Sequence, residues 1–106
     1  MRLLQQILDK VNILSVSGTT AVEINDLQTD SRKVKPGGCF IAVKGTLTDG
    51  HSFIDTALAN GASAIICETL PDDRPIDNIP YILVENTPVA AGVMAHNFYG
   101  QLTQKI

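Results

Sequence analysis

Residues 39–67 read CFIAVKGTLTDGHSFIDTALANGASAIIC, and this stretch decides the fold. It opens and closes on continuous apolar runs of strand length, Cys39-Phe40-Ile41-Ala42-Val43 and Ala64-Ile65-Ile66-Cys67. Runs without polar alternation predict strands covered on both faces, the pattern of a parallel sheet. Between them, Phe53, Ile54, Ala57 and Leu58 make an apolar stripe at helical spacing. Ser52 is the expected N-cap, with Asp55 three residues on, and Asn60-Gly61 is the expected left-handed stop. Strand, helix and strand in this order predict a βαβ unit of right-handed crossover.

Working outward, Tyr81-Ile82-Leu83-Val84 is a third apolar run. Upstream, Val22, Ile24 and Leu27 alternate with polar residues, which predicts a half-exposed strand over 22–28. Residues 15–20 read as a polar turn, and Leu3, Leu4, Ile7, Leu8 and Val11 predict an amphipathic helix over 2–11. At the other end Thr87 is the expected N-cap of a last helix, with Pro88 at its first position. Val89, Val93, Met94 and Phe98 would face inward, and Gly100 would end it. Residues 29–38 and 68–80 hold turn signals and prolines and read as loops. The predicted fold class is α/β: a single three-layer Rossmann-like domain, with a small, mainly parallel or mixed sheet and flanking helices.

The chain's 106 residues match the modal size of one domain. With 44% hydrophobic and 18% charged residues, intrinsic disorder is excluded. No apolar run approaches the ~18 residues of a membrane span, and MRLLQQILDKV lacks the features of a signal peptide. The expectation is a cytoplasmic protein with no membrane partner. A net charge of −3 argues against a nucleic-acid partner. Arg32, Lys33, Lys35 and Lys44 nevertheless hold half of the 8 basic residues. Such a cluster attracts a compact anion or simply solvates a turn. Glu68, Asp72, Asp73 and Asp77 form an acidic stretch. Cys39 and Cys67 sit in apolar runs and read as buried small hydrophobes, and no metal site is expected.

Signatures of nucleotide-hydrolysing, zinc-protease and serine-hydrolase sites are absent from the sequence. His51 and His96 lack a visible nucleophile partner, so no catalytic residue is assigned; His51 reads as a helix-start residue and His96 as partly exposed. Two loops are denser in chemistry: Thr29-Asp30-Ser31-Arg32 and Gly45-Thr46-Leu47-Thr48-Asp49-Gly50. If strand 22–28 runs parallel to strand 39–43, both loops share the carboxyl rim, where open α/β sheets bind ligands. Hydroxyls there suit the imide edge of a pyrimidine, and Arg32 or Lys44 could meet a pyrophosphate. Two ordinary turns, with Asp30 bonding its local backbone and Arg32 pinned to it, remain open at this point.

The same residues carry a resemblance. Asp30-Ser31-Arg32, Val34, Pro36-Gly37, Phe40, Ala42, Gly45, Asp49-Gly50 and Phe53 fit the ungapped pattern DSRxVxPGxxFxAxxGxxxDGxxF. That pattern resembles the N-terminal domain of Mur ligases, the ATP-dependent enzymes that extend the peptidoglycan precursor. Residues 57–68 and the ending Ala95-His96-Asn97-Phe98-Tyr99-Gly100 fit the same domain. The Asp-Ser-Arg form and the Phe-Tyr-Gly ending are most similar to the ligases adding the third stem-peptide residue to UDP-N-acetylmuramoyl-L-alanyl-D-glutamate. The sister ligases adding D-alanyl-D-alanine, and a free-standing binding module, are the alternatives. The resemblance implies that Ser31, Thr29, Arg32, Thr46, Leu47 and Thr48 hold the UDP-sugar of a UDP-N-acetylmuramoyl dipeptide. It also implies that residues 1–106 are this one domain, with the central ATP-binding and C-terminal domains outside them. ATP and Mg2+ would belong to the full-length enzyme and no cofactor to this domain, which alone would lack ligase activity.

Overall fold

A computed structural model describes residues 2–44, 50–70 and 79–103. In chain order the elements are β1 (Arg2–Leu3), α1 (Leu4–Ile7), β2 (Ile13–Ser17), β3 (Glu23–Ile24), β4 (Asp26–Gln28), a one-turn 3-10 helix (Ser31–Lys33), β5 (Gly38–Ile41), a second 3-10 helix (Gly50–Phe53), α2 (Ile54–Ala59), β6 (Ala64–Cys67), β7 (Tyr81–Val84) and α3 (Thr87–Thr103). Among the described residues the main sheet has five strands in the order β2-β7-β6-β5-β4, and β1 pairs separately with β3. β4, β5, β6 and β7 run parallel, and β2 lies antiparallel on the edge beside β7.

Period two along the strands divides the core between the two faces of the sheet. Cys39, Ile41, Ala64, Ile66, Ile82 and Val84 pack with Leu4, Ile7 and Leu8 of the N-terminal segment and with Ala90 and Met94 of α3. Phe40, Ile65, Cys67 and Tyr81 pack with Val34 and with Ile54 and Ala57 of α2. The sheet is thus the middle of three layers, as its unbroken apolar runs predicted.

Several local expectations need correction. The helix over 2–11 shrinks to Leu4–Ile7, because Arg2 and Leu3 pair with Ile24 and Glu23. Lys10 then adopts a left-handed φ of 67° that no helix continues through. Leu4, Ile7 and Leu8 are still buried, so the stripe marked the core correctly. The polar turn at 15–20 begins as a strand, β2, whose Ser15 and Ser17 pair with Leu83 and Tyr81. The strand over 22–28 breaks at Asn25, whose N–H turns to the Gly37 carbonyl, so β3 and β4 serve different sheets. β4 does run parallel to β5, the condition that puts their following loops on one rim.

Ser52 does not cap α2; it lies within the 3-10 turn, and α2 starts at Ile54 after Phe53. At the last helix Asn86 is the side-chain cap, accepting from Val89 N–H at 3.0 Å, and Thr87 is already helical. Val89 is 60% exposed rather than inward, and α3 runs past Gly100 to Thr103. Gly61 fulfils its expected role, with φ +98° and Pro36 Cα only 2.9 Å from where a Cβ would stand. Of the loop predicted over 68–80, residues 71–78, which include Asp72, Asp73 and Asp77, lie outside the described residues.

Candidate functional site

The parallel strands aim their carboxyl ends at one rim. From β4 the chain enters Thr29–Arg32, from β5 it reaches Val43 and Lys44, from β6 Glu68, and from β7 the start of α3. A hollow of about 900 Å³ opens there. Its lining comes from Thr29, Asp30, Ser31 and Arg32 after β4, Val43 after β5, Gly50 and Phe53 of the second 3-10 turn, Thr56 of α2, and Pro88 and Ala91 of α3. Ligand sites of open α/β sheets occupy this position, and the volume is that of a small-molecule pocket.

The Thr29–Arg32 loop is shaped by its own side chains. Asp30 caps the 3-10 turn by accepting from Arg32 N–H at 3.0 Å. Arg32 answers with a two-point ion pair, Nε to Oδ1 at 3.1 Å and Nη2 to Oδ2 at 3.0 Å. Those hydrogen bonds hold the Asp30 carboxyl below the usual carboxylate range and raise Arg32 further. The turn between Asp30 and its local backbone, open from sequence, is therefore built, and Arg32 is engaged in it. Ser31 is buried, and its carbonyl accepts from Asn60 Nδ2 at 2.9 Å, tying the loop to the end of α2. Thr29 is exposed at the mouth.

Thr46, Leu47 and Thr48 lie outside the described residues, but both ends of their loop are described. Gly50 N–H donates to the Val43 carbonyl at 2.9 Å, and both residues line the hollow. A Cβ at Gly50 would stand 2.8 Å from Val43 N and 2.9 Å from Ala42 C, so this approach requires glycine. Lys44 is exposed, and its N–H donates to Thr87 Oγ1 at 2.9 Å.

Four residues, Thr87, Glu68, His51 and Phe53, shape the rim in ways that their sequence positions did not show. Thr87, fully buried, donates from both N–H and Oγ1 to Glu68 Oε2, at 2.7 and 2.8 Å. The backbone bond from Thr87 is the first reason that the Glu68 carboxyl is held below its usual range. His51 Nε2 accepts from the N–H groups of Glu68 at 2.8 Å and Thr69 at 3.2 Å, so that nitrogen carries no proton here. Its helix-start position was foreseen; this bridge to the end of β6 was not. Phe53, in the 3-10 turn, is 42% exposed at the hollow. His96 is exposed on α3, and Cys39 and Cys67 are buried, with burial pushing the Cys39 thiol up to about 12. The hollow therefore offers the hydroxyl residues Thr29, Ser31 and Thr56, an internally neutralised ion pair and the apolar side chains of Val43, Phe53, Pro88 and Ala91.

A parallel sheet with a ligand-sized hollow at its carboxyl edge defines an α/β binding domain. The sequence matches the Mur ligase family, catalytic domain, over residues 23–99, and the chain belongs to that family. It is 40% identical over 103 residues to the UDP-N-acetylmuramoyl-L-alanyl-D-glutamate–2,6-diaminopimelate ligase of Phocaeicola vulgatus, covering 97% of this chain and 21% of that protein. It is 46% identical over 85 residues to the ligase of the same name from Bacillus cereus, covering 79% of this chain and 16% of that protein. Among solved structures, MurF from Acinetobacter baumannii superposes with a TM-score of 0.72 at 30% identity, over 95% of this chain and 21% of that one. MurF ligase from Thermotoga maritima, solved in complex with ADP, gives 0.59 at 38% identity, over 73% of this chain and 17% of that one. The resemblance read from the Asp-Ser-Arg and Pro-Gly-Gly segments is borne out, and so is the Rossmann-like fold class. The chain spans about a fifth of the length of the curated relatives it matches.

Proposed function

We propose that residues 1–106 form the UDP-substrate-holding domain of an ATP-dependent ligase that adds the third stem-peptide residue to UDP-N-acetylmuramoyl-L-alanyl-D-glutamate. One observation carries this reading: the Thr29–Arg32 loop and both anchored ends of the 45–49 loop border the same hollow. The names of the curated relatives supply the substrate and reaction class. The solved structures favour a second reading, the sister ligase adding D-alanyl-D-alanine, which would use this domain in the same way.

The domain's work is binding. Ser31 and Thr29 offer hydroxyls to the nucleotide, the family resemblance assigns Thr46, Leu47 and Thr48 to the same ligand, and Arg32 holds the first loop in shape through Asp30. Gripping the handle of a long substrate lets remote binding energy position a distant reacting carboxylate. ATP and Mg2+ in the full-length enzyme would supply the activation of that carboxylate. The residues in hand do not fit that pair: no GxxxxGK[ST] loop occurs in the sequence, and among the described residues no group of three His, Cys, Asp or Glu could hold a metal ion. The binding partners are thus the UDP-N-acetylmuramoyl dipeptide and the remaining domains of the ligase.

Two-dimensional NMR of this chain, titrated with UDP and then with UDP-N-acetylmuramoyl dipeptide, tests the assignment. Shift changes should gather at residues 29–32, 43–50 and 53. Flat spectra at millimolar ligand, or changes confined to another face, would remove it.

A further inference from the structure

Phe53 is an exposed aromatic that the fold itself does not explain. It is 42% exposed and belongs to neither half of the core. Leaving such a ring in water forfeits hydrophobic stabilisation that a covering ligand would restore. Its backbone is nevertheless fixed. Gly50, at the start of the same turn, packs against the Val43 backbone too closely for any side chain. His51 is bonded to the end of β6, and Ile54, the next residue, is buried. The ring is thus carried on an anchored turn and lines the hollow, as do the apolar Val43, Pro88 and Ala91. The same hollow is lined by Thr29, Ser31 and an ion pair already satisfied within itself. A hollow whose described lining offers apolar side chains, hydroxyls and no uncompensated charge suits a flat, neutral, hydrogen-bonding ring.

We infer that Phe53 is the stacking platform for the pyrimidine ring of the nucleotide, and so a specificity-determining residue of the site. The inference rests on the reading of this hollow as a uridine diphosphate site. Base–aromatic stacking needs an accessible π-face held still before the ligand arrives, which the turn provides. The hydroxyls of the lining then read the edge of the ring while Phe53 holds its face.

The test compares the full chain with Phe53→Ala, Phe53→Leu and Phe53→Tyr, using UDP and methyl diphosphate as probes and NMR as readout. UDP affinity should fall about tenfold in Phe53→Ala, fall nearly as far in Phe53→Leu, and persist in Phe53→Tyr. Methyl diphosphate, which has no ring, should bind all four proteins alike. The uracil H5 and H6 resonances should move upfield on binding to wild type and Phe53→Tyr only, a ring-current signature that a purely structural role would not produce. Because the side chain is exposed, matching thermal melts should verify that the variants fold. If wild type binds UDP but Phe53→Ala and Phe53→Leu bind it equally well, the stacking role is wrong and the site survives. If wild type does not bind UDP at all, the site reading fails and takes this inference with it.

Discussion

Thr87 shows how much one side chain can decide. Fully buried, it accepts from Lys44 N–H and donates twice to Glu68, joining the ends of β5 and β6 to the start of α3. Thr87→Val keeps the shape but orphans Lys44 N–H and removes one donor to the carboxylate. The expected loss is about 1–3 kcal/mol in urea unfolding, with Thr87→Ser recovering most of it. Glu68 predicts a pH dependence. Its folded-state pKa is depressed, chiefly by the Thr87 N–H, so its contribution is fully present above the unfolded carboxylate value and lost as pH falls through the folded one. Urea titrations from neutral pH down to about pH 3 should therefore show wild type losing more stability than Glu68→Gln. A parallel pH decline in the two proteins would reject this. Sequence pointed to Thr87 as a cap. Asn86, next to it and equally suited to capping, takes that place because Glu68 and Lys44 occupy the threonine hydroxyl.

At the level of elements, α3 is the strut to which the N-terminal segment is tied. Asn97 Nδ2 donates to the carbonyls of Ile7 at 2.8 Å and Asp9 at 2.7 Å, and Arg2 Nε donates to the Phe98 carbonyl at 3.3 Å. Phe98 and Tyr99 meet edge to face at 4.7 Å, and Tyr99 Oη donates to Asp26 of β4 at 3.2 Å. Asn97→Ala should cost about 1–2 kcal/mol and speed amide exchange in residues 4–8 before the central strands respond. Uniform acceleration across the sheet would show instead that this end opens only globally. The N-terminal helix was overread because Leu4, Ile7 and Leu8 satisfy a helical stripe within a single turn, while pairing of Arg2 and Leu3 with β3 is a long-range event. β2 was missed for the complementary reason. As an edge strand it leaves its apolar Leu14 58% and Val16 45% exposed, and it owes its existence to β7.

For the whole molecule, Cys39 and Cys67 are reporters placed on opposite faces of the sheet, both fully buried. Their reaction with a thiol reagent should require global unfolding, since burial raises the Cys39 thiol to about 12 and shields both sulfurs. UDP at about 100 times its dissociation constant should stabilise the fold by ~2.7 kcal/mol and slow the labelling in proportion. Fast labelling that ignores UDP would mean that the domain opens locally around the thiols, or that UDP does not bind the folded state.

The sequence by itself determined the three buried central strands, the parallel arrangement they imply and the family of the chain. Unbroken apolar runs and the Asp-Ser-Arg to Asp-Gly pattern are local signals that need no partner to be read. It also marked Thr29–Arg32 as chemically dense, and that loop does line the rim hollow. Only the tertiary structure decided that Asn86 caps α3 while the Thr87 hydroxyl bridges Lys44 and Glu68, that His51 reaches the end of β6, and that Phe53 is left exposed beside the hollow. The Thr87 and His51 bonds join groups far apart in sequence that become neighbours only when the sheet closes. A hydrogen bond belongs to the nearest well-aligned partner, and sequence order does not give that distance.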